Sequence, residues 1–210
     1  VDLGTAMGAG WSSGISVYGV VALVGAGGRF GWIDAPSFVE QWWVIGAAVV
    51  LFLAEFVIDK IALLDSAWDS VHTLIRPAVG GYLMSTATDT ELSVPALAVS
   101  GVVLALSSHS AKASTRLLVN TSPEPVSNVA VSVAEDGLVF AVMALAMSRP
   151  EVAAVVVVVL TVAAVVVAFV FYRLARRIGR RVGRRLRPTT GPARDPGRGP
   201  SDDSAGDARA

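Results

Sequence analysis

Glu135 and Asp136 stand side by side near the middle of a long apolar stretch, residues 123–147. A charge at the centre of a membrane helix costs about 2.5–3.5 kcal/mol on insertion scales, so an acid there is a functional group by default. Adjacent helical residues point about 100° apart, so one base serves both poorly. Such a pair meets buried bases, holds a proton on one member, or faces water. Lys112 and Arg116 are the available bases. The same residues also fit a purely structural ion pair.

Three more groups share this character. Glu55 and Asp59 are four apart on one helical face, with Lys60 next in the chain. Asp65, Asp69, His72 and Arg76 form one stripe of a helix over 62–76. Leu63, Leu64, Ala67, Trp68, Val71, Leu74 and Ile75 fill its other side. His109, Lys112, Arg116 and Asn120 form a second, basic stripe. The acidic and basic regions are complementary, and each precedes a helix started by a proline, Pro77 or Pro123. Interrupted apolar segments in both halves point to a transporter-like site at mid-membrane. The helix starts after Ile75 and Ser122 would offer N–H groups to an anion, making Arg76 and Ser122 anion-binding candidates. Asp65-x3-Asp69-x2-His72 offers three hard ligands for Mg²⁺, Mn²⁺ or Zn²⁺, although solvated helix faces carry the same pattern. With no cysteine, thiolate metal sites, disulfides and a cysteine nucleophile are excluded. No nucleophile elbow, P-loop or dinucleotide fingerprint is present, and no cofactor is expected.

The elements that must position these groups are membrane helices. Residues 152–172 are 21 in number and uncharged, and about 20 apolar residues cross the hydrocarbon core as a helix. Residues 3–27 read as a second span, rich in glycine and serine. Gly10 and Gly14 form a small-xxx-small pair that lets another helix approach. Residues 42–58 read as a third, with Trp42 and Trp43 in an aromatic belt. The segment from 95 into the basic stripe and the segment 123–147 complete about five spans. Residues 62–76 are predicted to lie on the membrane surface or pack back into the bundle. The short piece after Pro77 reads as a half-helix or re-entrant segment, with a kinked continuation of 62–76 as the alternative. The fold class is therefore all-α, a polytopic transmembrane bundle of about five spans plus broken or re-entrant helices.

Composition agrees. Only 16% of the 210 residues are charged and 53% are hydrophobic, where a soluble domain carries about 25% charged residues. The net charge of zero hides three regions. Residues 1–172 hold 6 basic and 13 acidic side chains, residues 173–187 hold 8 Arg and no acid, and residues 188–210 hold 3 Arg and 4 Asp. These divide the chain into a transmembrane domain, a basic amphipathic helix next to the membrane and a disordered tail. Arg173, Arg176, Arg177, Arg180, Arg181, Arg184, Arg185 and Arg187 form the collar. Beside a span they suit anionic inner-leaflet lipids rather than nucleic acid. Positive-inside counting puts this end in the cytoplasm. Fifteen Arg against two Lys, with abundant Ala and Val, reads as the GC-rich coding of a bacterium, hence a bacterial cytoplasmic membrane.

Several polar motifs occur in a fixed order: Phe30-Gly-Trp-Ile-Asp34, Asp59-Lys60, DSAWDSVHTLIRP over 65–77, HSAKASTRLLVNTSPEPVSN over 109–128, and Ser-Val-Ala-Glu-Asp over 132–136. In these the chain resembles the bacterial membrane-protein family catalogued as domain of unknown function 4126, across residues 4–172. The resemblance implies a multi-pass membrane protein with no assigned activity, and supplies no catalytic residues.

Three functions fit the residues. The first is a small transporter or channel-like protein for an ion or small anionic solute, proton-coupled through Glu135 or Asp136. Lys112, Arg116 and the Ser122 helix start would meet the anion, and Glu55 and Asp59 would partner the bases. The second is a metal-dependent membrane enzyme acting on a lipid or prenyl phosphate. The third is a non-catalytic scaffold or assembly factor.

Overall fold

The structure, a computed structural model, describes residues 1–119 and 125–185. Among them the chain forms seven helices and no strand: α1 (Leu3–Ser13), α2 (Val17–Arg29), α3 (Trp42–Ile58), α4 (Ala62–Ser85), α5 (Val94–Val119), α6 (Pro125–Ser148) and α7 (Pro150–Arg185). Three of these contain stretches long and apolar enough to cross a membrane: Val94–Val119, Val126–Ser148 and Pro150–Arg177. Asn120, Ser122, Arg187 and the tail predicted over 188–210 lie outside the described residues.

Residues 3–27 do not form one span. The helix stops at Ser13 and restarts at Val17. Between them Gly14, Ile15 and Ser16 turn the chain back, with Ser16 extended at φ −140°. Eleven and thirteen residues rise only about 17 and 20 Å at 1.5 Å per residue, too little to cross. Both outer ends of this hairpin meet the end of α6. Thr5 Oγ1 donates to the Ala146 carbonyl at 2.9 Å, and a Cβ on Gly27 would touch Met147. α1 and α2 are thus a re-entrant hairpin, its tip inside the bundle.

Small residues make this fit possible. Gly10 of α1 faces Gly80 of α4 and Gly101 of α5, and Gly14 lies on the Ala105 carbonyl and Ser108 Oγ. Irregular backbone at membrane depth is tolerated only where protein satisfies it. Here α5 does so: Ser108 Oγ donates to the Trp11 carbonyl at 2.6 Å and Lys112 Nζ to the Ile15 carbonyl at 3.2 Å.

The segment after Pro77 is also not a separate half-helix. α4 runs unbroken from Ala62 to Ser85 with Pro77 inside it. Proline removes one backbone donor, which a membrane helix tolerates when neighbours re-satisfy the freed groups. Nor does α4 lie on a surface. Asp65 and Arg76 are fully buried, while Leu74 is 81% exposed and Val71 65%. A helix with charges inside and leucine outside is at home only where the surroundings are apolar.

The helices α3 to α7 run alternately between two ends beside the hairpin; α5, α6 and α7 hold the three stretches long and apolar enough to cross, and α3 is a shorter apolar helix. One end gathers the hairpin termini, the 30–41 connection and the 86–93 turn. Phe30, Trp32, Phe38, Trp42 and Trp43 are exposed there, with Phe30 against Trp32 and edge-on to Trp42, Phe38 edge-on to Trp43, and Arg29 over Trp42 at 5.3 Å. That is an aromatic belt at an interface. The apolar core lies at the same end, where Ala9, Trp11, Val20, Val24, Val139, Val142, Met143 and Val157 pack together. The compact unit comprises residues 1–172. A second unit begins at Arg173, and its described part is the end of α7, on which Arg173, Arg176, Arg177 and Arg180 are exposed.

Candidate functional site

The other half of the bundle has a polar core. Its residues come from the C-terminal end of α3, the first half of α4, the second half of α5 and the first half of α6. The hairpin tip covers them.

Arg76 is fully buried, and its guanidinium joins Glu55 Oε1 at 2.8 Å and Asp69 Oδ1 at 2.7 Å. Asp69 lies 3.8 Å from Lys112, and Lys112 pairs with Asp59 at 2.8 Å. Asp59 also meets Arg116 at 3.4 Å, and Arg116 pairs with Glu135 at 2.6 Å. The charges form one alternating chain, Glu55, Arg76, Asp69, Lys112, Asp59, Arg116, Glu135, linking four helices. Asp65 sits beside it, 3.9 Å from Arg116. Arg116 spends its remaining donors on the Asp59 carbonyl at 2.7 Å and Asn128 Oδ1 at 2.9 Å.

Hydroxyls extend the network to the hairpin. Ser16 Oγ donates to Glu55 Oε2 at 2.8 Å, and Ser13 Oγ donates to the Arg76 carbonyl at 3.4 Å. Glu55 thereby sits at the N-terminal end of α2, where the helix dipole favours a negative charge.

Both ring nitrogens of each histidine are engaged. His72 Nδ1 is 2.7 Å from the Trp68 carbonyl, which only accepts, so the proton is on Nδ1. Nε2 then accepts from Tyr18 OH at 2.8 Å. His109 Nδ1 is 3.0 Å from Arg76 Nη1, which only donates. Its proton is therefore on Nε2, directed to Thr73 Oγ1 at 3.2 Å. Thr73 in turn donates to the Asp69 carbonyl at 2.9 Å.

A cavity of about 200 Å³ opens between α4 and α5 beside this chain. Asp65, Asp69, His109 and Arg116 line it on the inside, and Ser66, Ser70, Thr73 and Leu117 form its exposed rim.

The acidic and basic stripes thus meet, as do Glu55 and Asp59 with the bases. Lys60 stays apart, partly buried, donating to the Phe56 carbonyl at 2.6 Å over the Phe56 ring. Arg76 does not face an anion site, since two carboxylates hold its guanidinium. Nor do Asp65, Asp69 and His72 make a metal site. No group of three or more His, Asp or Glu is arranged to hold a metal among the described residues, and both ring nitrogens of His72 are engaged. Arg116 serves Glu135 and not Asp136.

Tyr18, Thr73, Asn128 and Ser132 belong to the site without having stood out in the sequence. Ser132 and Asn128 lie one and two turns before Asp136, on its helical face. That spacing is legible once Asp136 is known to face inward. Tyr18 carries no such signal.

Comparison with the curated proteins and with the solved structures returned no match. Residues 3–169 match the family described as Domain of unknown function (DUF4126). That span holds all seven members of the charge chain and the whole re-entrant hairpin, and the chain belongs to this family.

Proposed function

We propose that the protein is a small proton-linked ion transporter of a bacterial cytoplasmic membrane. The observation that carries this reading is the buried excess of acid under a re-entrant hairpin. Six carboxylates, Glu55, Asp59, Asp65, Asp69, Glu135 and Asp136, face three bases, Arg76, Lys112 and Arg116. Such an excess calls for protons or other cations as counter-charges. An anion would need Arg76 or Arg116 to leave its carboxylates. The cavity at Asp65 and Asp69 offers a way in from one end, while glycine-tight packing of the hairpin closes the other. A broken helix pair at the depth of the charges is the arrangement of a transporter gate.

The positive-inside rule orients the bundle. α7 starts at the end bearing Asp34, Glu40, Asp89 and Glu91 and ends in the arginine collar. The acidic end is then outside and the collar cytoplasmic, where each arginine contributes about 1 kcal/mol of attraction to anionic lipid.

The test is flux through the purified full-length chain in liposomes carrying an internal pH dye, under an imposed potassium diffusion potential. Proton entry above protein-free vesicles is expected, reduced at least tenfold by Asp69→Asn at the cavity. Flux equal to empty vesicles under every ion gradient would leave the charge chain a structural lock and refute transport.

A further inference from the structure

Five of the six buried carboxylates have a cationic partner. Asp136 has none among the described residues. It is only 8% exposed, and its Oδ2 is buried with no hydrogen-bond partner.

Ser132 and Asp59 also carry a buried oxygen with no hydrogen-bond partner, as does Ser12 on α1. Ser132, one turn earlier on α6, is fully buried and its Oγ makes no hydrogen bond. Ser70, Ser100, Ser114 and Ser148 each donate to the carbonyl four residues back. Ser132 does not use that outlet. Asp59 gives Oδ2 to Lys112 and Arg116, while its buried Oδ1 has no partner. The charged groups around Asp136 are Asp59, Lys112, Glu55 and Lys60.

A buried ionised carboxylate without partner costs several kcal/mol, and Glu55 on α3 and Asp59 just past its end add like charge around it. Lys112 is committed to Asp59, and Arg116 to Asp59 and Glu135. One proton removes the difficulty. As a carboxylic acid Asp136 is neutral and becomes a donor.

We propose that Asp136, with Ser132 one turn before it on α6, is a proton-binding site that is occupied at neutral pH. This names the proton carrier for the transport reading above, yet its test is independent of flux.

The test is infrared difference spectroscopy on the full-length chain in lipid. The native chain should show the C=O stretch of a protonated carboxyl at neutral pH, lost reversibly on alkalinisation. Asp136→Asn, which mimics the neutral acid in shape, should lose that band and keep its thermal midpoint. Glu135→Gln should keep the band, and Ser132→Ala should shift it. A native spectrum without the band, or an Asp136→Asn spectrum that retains it, overturns the site. So does a large fall in the thermal midpoint of Asp136→Asn, which would mean that the native group is charged. A band that vanishes as sodium rises at constant pH would make sodium the occupant and also overturn it. A band without flux in liposomes would refute transport and leave the proton site standing.

Discussion

Arg76 holds two carboxylates at once, from α3 and from its own helix, with no exposure to solvent. Removing it leaves both acids buried and unpaired. Arg76→Met is therefore expected to destabilise the protein by about 3–5 kcal/mol, read as a fall in thermal midpoint in detergent. The triple change Glu55→Gln, Asp69→Asn, Arg76→Met removes the charges together and should recover most of that loss. Triple and single variants that unfold alike would contradict this account. Tyr18→Phe makes a smaller claim. It leaves His72 Nε2 without its donor, at a cost of about 1 kcal/mol. The stripe Asp65, Asp69, His72, Arg76 was legible because helical periodicity is local. That Arg76 answers Glu55 was not, because the partner lies 21 residues away on another helix. His72 shows the same limit: its spacing suits a metal ligand, and its Tyr18 contact decides otherwise.

The two elements that depart from the sequence reading do so for one reason. Glycine and serine spread through residues 3–27 look like a single packed span. The break comes where α5 supplies donors to the carbonyls of Trp11 and Ile15 and where Ser16 turns its hydroxyl to Glu55. Proline at 77 looks like a helix start, yet buried neighbours on both sides carry α4 through it. In both cases tertiary partners for the backbone override the local preference. The hairpin tip permits a direct check. A Cβ on Gly14 would run into the Ala105 carbonyl and Ser108, whereas one on Gly46 meets nothing within 4 Å. Gly14→Ala should cost about 1–3 kcal/mol by overpacking. Gly46→Ala, in an exposed helix interior, should be neutral or stabilising by up to about 1 kcal/mol. Thermal unfolding of the pair in detergent reads the contrast, and equal midpoints would count against the tight tip.

At the scale of the molecule, seven helices, with α1 and α2 folded as a hairpin, place both polar stripes at the same end. The lack of native cysteine makes topology easy to read. Ser37→Cys and Ser93→Cys, both exposed at the aromatic-belt end, should react with an impermeant maleimide on intact cells. Ser66→Cys, on the rim of the polar cavity, should react only after permeabilisation. Labelling of all three from one side would overturn the topology.

The sequence by itself determined the class of the protein, since apolar length and a shortage of charge are properties of the chain alone. It also showed which charged residues lie at membrane depth and which share a helical stripe, since helical spacing is local. The tertiary structure decided the rest: which span is a hairpin, which helix passes through its proline, and which base meets which acid. Those outcomes depend on the register between helices, set by small residues such as Gly10, Gly80 and Gly101 that are far apart in the chain. With that register in place, Arg116 falls to Glu135, and Asp136 is left without a cationic partner among the described residues.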